Sequence, residues 1–357
     1  MRIGLAGAGR IGARHAAALC EAPDVEALLV ADADPGRARE LAARLGARSL
    51  DAVDDLFAAG LDGLVVTAAT GAHAALVRRA VAAGTPVFCE KPLASDIDGT
   101  FQIMREARSA GIPVQVGFQR RFDAGYAAAR EAVAAGRLGR LHTVRSCSFD
   151  PAPPPAAYIP GSGGLFRDCV IHDLDSIRHV TGREAVWVVA AGSDTGDEMF
   201  RASGDVHTGA ALLALDDGTL CTVGATRYNA AGYDVRLELF GSKDSLVAGL
   251  DDRTPATPVP DAPPGSGAAA RPPAYGGFLD RFAAAYDAEL GAFIELVAGR
   301  RGNPCPPEDA LEAFYLAEAC ELSRRERRIV EIAEVRSEEA RSEEARSQEA
   351  AREGVRR

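Results

Sequence analysis

Between residues 2 and 116, short apolar runs alternate with longer stretches whose apolar positions recur every three or four residues. The runs at 2–6, 25–31, 63–67, 86–89 and 113–116 are short enough to read as strands. The stretches at 11–21, 37–45, 72–83 and 97–110 read as helices. Gly46, Gly84 and Gly111 close three of them, where a left-handed cap suits a residue without a Cβ. Strand, helix and strand in repetition predict a parallel sheet with right-handed crossovers, a doubly wound α/β domain.

After Gly117 the rhythm changes. A helix at 126–135 precedes a strand at 141–149, a Pro-rich segment and a helix over 168–180. Strands are then expected at 185–191, 205–215, 219–228, 233–240 and 245–248, with Asp216-Asp217-Gly218 as a hairpin turn. Consecutive strands with few helices predict an α+β domain with a mostly antiparallel open sheet, whose uncovered face suits oligomer formation. Residues 251–277 are rich in Pro, Gly and Ala, which fits a flap or an insert. Helices follow at 278–298 and 307–327. From Val335 the chain repeats Arg-Ser-Glu-Glu-Ala with almost no apolar face. The expected organisation is a dinucleotide-type domain over 1–118, an α+β domain over 119–334 for substrate and oligomerisation, and a charged low-complexity tail over 335–357.

Composition narrows the function classes. A net charge of −11 argues against nucleic acid or an anionic membrane as partner and leaves small molecules open. Met1 leads straight into an apolar strand without a basic leader, and no run of about 18 apolar residues could span a bilayer, so a cytoplasmic protein is expected. The seven cysteines are scattered and never spaced C-x-x-C, as expected of reduced, buried thiols. Among 40 basic residues only Lys91 and Lys243 are lysine. Lys243 sits in a turn, whereas Lys91 follows an apolar run in Glu90-Lys91-Pro92. A compact ammonium fits beside a small reacting hydroxyl where a broad guanidinium does not.

Two further segments carry chemistry. Gly7-Ala8-Gly9-Arg10-Ile11-Gly12 follows the first strand and opens the first helix, with Asp32 at the end of the second strand. The glycines permit a tight turn, backbone approach to a pyrophosphate and close helix packing, while the carboxylate suits ribose hydroxyls. Asp32 would repel a 2′-phosphate, so this Rossmann-type site is expected to take NAD rather than NADP. In the second domain, Asp168 and His172 are one helical turn apart, with Asp175 and His179 continuing the stripe. The carboxylate can orient the imidazole as a general base. Taken alone, the pair reads more simply as a helix cap and a packed histidine. A metal held by Asp168, His172 and Asp175 is disfavoured, because three ligands on one helix wrap an ion poorly, and no metal is expected. His15 and Cys169 read as packed residues, and His73 as structural or cofactor-contacting.

Gly7–Gly12, Glu90-Lys91-Pro92 and the Gly-Gly-x3-Asp-x3-His segment ending at His172 together resemble the glucose–fructose oxidoreductase and inositol dehydrogenase family (Gfo/Idh/MocA), in the same order through about residue 330. Gly117-Phe118-Gln119-Arg120-Arg121-Phe122-Asp123, the Pro-rich stretch from Asp150 with Tyr158, and Gly232-Tyr233-Asp234 are similar to its inositol 2-dehydrogenase branch. Gln119 departs from the Met or Asn often found there. The resemblance implies NAD-dependent oxidation of a cyclic polyol or sugar, with Lys91, Asp168 and His172 catalytic. It implies that Arg120, Asp150 and Tyr233 line the substrate pocket together with Lys91, Asp168 and His172. Cofactor contacts are expected from Gly7, Gly9, Arg10, Ile11, Gly12, Asp32, Thr70, His73, Glu90 and Lys91, and the assembly is expected to be a homodimer or homotetramer. The alternatives are an enzyme acting on another sugar or nucleotide sugar, and a dinucleotide-binding sensor without catalysis.

Overall fold

The computed structural model describes residues 1–256 and 272–336. Most of the expected flap and the tail beyond Arg336 lie outside them. The first third of the chain runs β1 (Arg2–Ala6), α1 (Arg10–Glu21), β2 (Ala27–Ala31), α2 (Pro35–Leu45), β3 (Arg48–Ser49), β4 (Gly63–Val66), α3 (Thr70–Ala82), β5 (Val87–Glu90), α4 (Ile97–Ala110) and β6 (Val114–Gly117). These strands form a six-stranded sheet in the order β3-β2-β1-β4-β5-β6, with every pairing parallel. The order reverses at β1, so the loops after β1 and β4 diverge at the carboxyl edge and leave the crevice where such folds bind ligands.

The chain then runs α5 (Ala124–Ala134), β7 (Leu141–Phe149), α6 (Ile171–Thr181), β8 (Ala185–Ser193), α7 (Glu198–Arg201), β9 (Thr208–Leu215), β10 (Leu220–Thr226), β11 (Asp234–Gly241) and β12 (Ser245–Ala248). It continues through α8 (Phe278–Arg281), α9 (Ala283–Val297), α10 (Pro307–Glu326), β13 (Val330–Glu331) and α11 (Ile332–Val335). Seven strands pair in the order β12-β11-β7-β10-β9-β8-β13. The sheet is antiparallel except that β7 and β10 run parallel. Along β7, Val144, Ser146 and Ser148 are buried while Thr143, Arg145 and Cys147 are more exposed, so one face is covered and the other open. The hairpin turn ends at Gly218, whose φ of +86° suits glycine.

Two compact units emerge, and both are discontinuous in sequence. Residues 1–118 associate with 287–315 and 333–336, and residues 119–256 and 272–286 with 316–332. The pattern-based grouping of 287–315 with the second domain differs from this, for a packing reason. Leu290, Phe293, Ile294 and Leu296 of α9 share one core with Ile3, Leu5, Val30, Val65 and Phe88 of the parallel sheet. Helical periodicity reveals that α9 has an apolar face but not which sheet the face covers. The helix expected over 278–298 is also divided at Phe282.

Candidate active site

In the first unit, β1 ends at Ala6 and the chain turns through Gly7, whose φ is +114°. A Cβ on Gly7 would lie 2.5 Å from the Ala68 nitrogen, and one on Gly12 would lie 2.0 Å from the Gly7 oxygen. At Gly9 a Cβ would meet nothing within 4 Å. Packing therefore demands glycine at both ends of the motif, while the middle position faces open ground at the N-terminus of α1. That terminus carries no acidic residue in its first turn, so its amides keep their attraction for phosphate. Asp32 follows β2, and its carboxylate accepts from the Ala8 amide at 2.6 Å and the Asp34 amide at 2.8 Å. The loop and the carboxylate are thus one hydrogen-bonded piece, and the donor set fits a dinucleotide. Arg10 and Ile11 open α1, and Thr70 opens α3.

Lys91 stands immediately after β5, half-buried, and its peptide bond to Pro92 is cis. The groups that brace this turn lie beneath it. Glu90 turns its carboxylate to His15 of α1, with Oε1 and Nε2 at 2.7 Å. His15 is fully buried, and its ring meets Phe88 edge to face. Gly117 makes room for the other Glu90 oxygen, since a Cβ there would be 3.1 Å from Oε2. Buried Glu289 joins the group, its carboxylate lying with Glu90 and the His15 nitrogen within 4.8 Å of one another. Among the described residues this is the cluster that could hold a cation, and its His15–Glu90 contact has hydrogen-bond length.

Two of the residues expected at the cofactor, Glu90 and His73, also brace the loop. The Glu90 carboxylate points into this cluster. His73 is buried with Nδ1 2.8 Å from the Pro92 oxygen and Nε2 3.0 Å from the Ala68 oxygen, so both ring nitrogens bridge backbone within the unit.

In the second unit, the helix expected from Asp168 begins earlier, as a wide π-helical turn over Phe166–Val170 that runs into α6. Such turns recur at functional sites. Asp168 lies in the wide turn and His172 is the second residue of α6. The Asp168 carboxylate receives two strong donors: Arg227 Nη2 at 2.6 Å and the Tyr158 hydroxyl at 3.0 Å. Arg227 reaches Asp150 Oδ2 with its other terminal nitrogen at 3.1 Å. Burial pushes the Asp150 carboxyl above its usual range, and the pull of Arg227 offsets this only partly. Burial and then the Asp168 charge push the Tyr158 phenol up, so it stays a donor. Cys169 points its thiol at Asp150 rather than into a core, at 3.7 Å.

The Arg120 region anchors the helix that carries His172. Arg120 is 3% exposed, and its Nη1 donates to Asp173 at 3.1 Å, while Ser146 and Ser148 of β7 donate to the same carboxylate at 2.5 and 2.6 Å. Arg121 grips Asp175 in a second buried pair, with Nη2 2.5 Å from Oδ1. Asp175 is therefore committed to structure and is no ligand beside His172. Tyr233 is buried, and desolvation raises its hydroxyl although Arg120 draws it down. Arg227 and Glu289 are not among the residues expected from the sequence. Neither carries a local signal: Arg227 is one arginine among many, and Glu289 lies in a helix far along the chain from Glu90.

The first unit defines the class, an oxidoreductase with an NAD-binding Rossmann domain, and the profile of that oxidoreductase family matches residues 1–118. The GFO/IDH/MocA C-terminal domain matches residues 126–247. The chain belongs to the GFO/IDH/MocA family. It is 40% identical to a myo-inositol dehydrogenase of Streptomyces leeuwenhoekii over 90% of this chain and 97% of that protein. It is 35% identical to an inositol 2-dehydrogenase of Rhizobium meliloti, over 93% and 99%. Among solved structures, scyllo-inositol dehydrogenase from Lactobacillus casei with bound NAD(H) and scyllo-inositol superposes with a TM-score of 0.84 at 30% identity, covering 93% of this chain and 99% of that one. No helix among the described residues is long and apolar enough to cross a membrane.

Proposed function

We propose that this enzyme oxidises a ring hydroxyl of an inositol to the ketone, with myo-inositol oxidised at C2 as the leading substrate. The observation that carries the reading is the Asp168 carboxylate hydrogen-bonded by Arg227 and Tyr158 one turn before His172, in a chain 40% identical to a myo-inositol dehydrogenase. The residues from Gly7 to Gly12 with Asp32 would hold NAD, and NAD supplies the acceptor for the hydride and its two electrons. His172 takes the hydroxyl proton as the carbon–oxygen double bond forms, and later releases it to solvent. Asp168 orients the imidazole and favours its charged form. Lys91 donates a hydrogen bond to the reacting oxygen, stabilising developing negative charge. Asp150 and Tyr233 contact the remaining hydroxyls, and Arg120 keeps their surroundings in place.

The same reading takes the enzyme as a cytoplasmic homo-oligomer, dimer or tetramer, joined through the open face of the seven-stranded sheet. That face presents exposed Leu220 and Val247 beside half-buried Trp187, Val189, Leu212 and Phe149. The test is NAD reduction with myo-inositol, scyllo-inositol, hexoses and nucleotide sugars. Turnover of an inositol is expected, and His172→Ala should lower it about 1,000-fold while NADH still binds. Turnover of a nucleotide sugar and of no inositol replaces the substrate, and an undiminished His172→Ala removes the base.

A further inference from the structure

The parallel pairing of β7 with β10 sets two strand ends side by side. Phe149 pairs with Thr226 in the ladder, so the next residues, Asp150 and Arg227, leave the sheet together. Their backbones are fixed by three bonds: Asp150 N to the Thr226 oxygen, Asn229 N to the Asp150 oxygen and Arg227 N to the His207 oxygen, each 2.8 Å. The Arg227 side chain is only 5% exposed, against 25% for Asp150 and 12% for Asp168. Its Nε finds no acceptor among the described residues. The guanidinium is thus placed for its two Nη contacts, one to each carboxylate.

We propose that Arg227 is a positioning residue which, by holding Asp150 on one Nη and Asp168 on the other, fixes the carboxylate that orients His172. The proposal deepens the reading above and rests on it. A planar fork spans two carboxylates at once, whereas a lysine ammonium concentrates its charge at one point. Without a cation between them, two partly buried carboxylates oppose each other's ionisation, and Asp168 either turns away or takes a proton. Arg227 and Tyr158 face Asp168 directly, with Asp150 and Cys169 around the guanidinium and His172 one turn on. In that company Arg227 supplies the positive charge.

The full-length enzyme is assayed with NAD and myo-inositol across pH, alongside thermal melting and fluorescence titration with NADH. Arg227→Met should lower kcat about 100-fold through misplacement of the reacting groups. Loss of the cation makes the Asp168–His172 pair bind its protons more tightly, so the acid limb of the kcat profile should move to higher pH. NADH affinity should stay at the wild-type value. Arg227→Lys restores charge without the fork, so its acid limb should return to the wild-type position while kcat recovers only in part. Wild-type kcat with an unmoved acid limb in both variants overturns the proposal. If Arg227→Met does not fold, Arg227→Lys decides: a cooperative melt with reduced kcat supports the role, and one with wild-type kcat refutes it. A wild-type enzyme inactive on every inositol sinks the underlying reading, whereas an active enzyme indifferent to Arg227 sinks this inference alone.

Discussion

Around Lys91 the supporting groups come largely from one short stretch, Glu90 before it and Pro92 after it, with His15 and His73 reaching up from the helices beside the strand. Around Asp168 they come from separate stretches: Asp150 after β7, Tyr158 from the Pro-rich segment and Arg227 after β10. The first region braces its residue through backbone carbonyls and a buried imidazole–carboxylate contact. The second braces its residue through a guanidinium shared by two carboxylates. A turn that follows a strand directly needs little from afar. A carboxylate in an open helical turn has to be gripped by whatever the sheet brings alongside.

The sharpest way to break this comparison is at Lys91. Lys91→Ala should lower kcat about 100- to 1,000-fold, as loss of a donor to a developing oxyanion does. Lys91→Arg should fail almost as badly, because the guanidinium is too broad for the position. A largely active Arg variant, read by steady-state NADH production, would show that the rarity of lysine carries no meaning here. The Arg227 pair of variants should rank next, and there Lys should recover part of what Met loses, the reverse of the Lys91 case.

A smaller effect is expected at the base of the Lys91 turn. His15→Leu leaves part-buried Glu90 and buried Glu289 without the imidazole, which should cost about 1–3 kcal/mol of stability. A melting temperature within a degree of wild type would mean that the carboxylates find other partners.

The smallest effect concerns pH. The folded Asp150 carboxyl sits above its unfolded value, so the folded state holds that proton more tightly. The stability it contributes is complete below the unfolded value of about 3.9. It declines as pH rises through the raised folded value, because the unfolded chain has already released the proton. Asp150→Asn should therefore gain on wild type in melting temperature as pH rises through that window. A constant difference would remove Asp150 as the cause.

The parallel sheet was legible because its strands are continuous apolar runs, and because Gly7, Gly12 and Asp32 meet requirements set within a few residues. Lys91 stood out since the chain holds only two lysines. Arg227 was hidden by the same bias, for one arginine in an arginine-rich chain attracts no notice. Its role depends on the register of β7 against β10, which no local pattern encodes. The fate of α9 was hidden likewise, since periodicity reveals an apolar face but not the sheet beneath it. Glu90 and His73 follow the same logic from the other side. Their place in the motif was visible, but the direction of their side chains is set by His15, Gly117 and the Pro92 and Ala68 carbonyls.

The parallel step between β7 and β10 also bears on the order in which the molecule is built. An antiparallel neighbour can zip from a tight turn, but a parallel one has to wait for a long crossover, and Asp150 meets Arg227 across 77 positions of chain. Closing a loop of that length carries an entropic penalty before any contact offsets it. Until it closes, Asp150, Asp168 and Arg227 remain in water, where their charges are harmless and useless. The cluster of Asp150, Asp168 and Arg227 therefore depends on strands far apart in the chain finding their register.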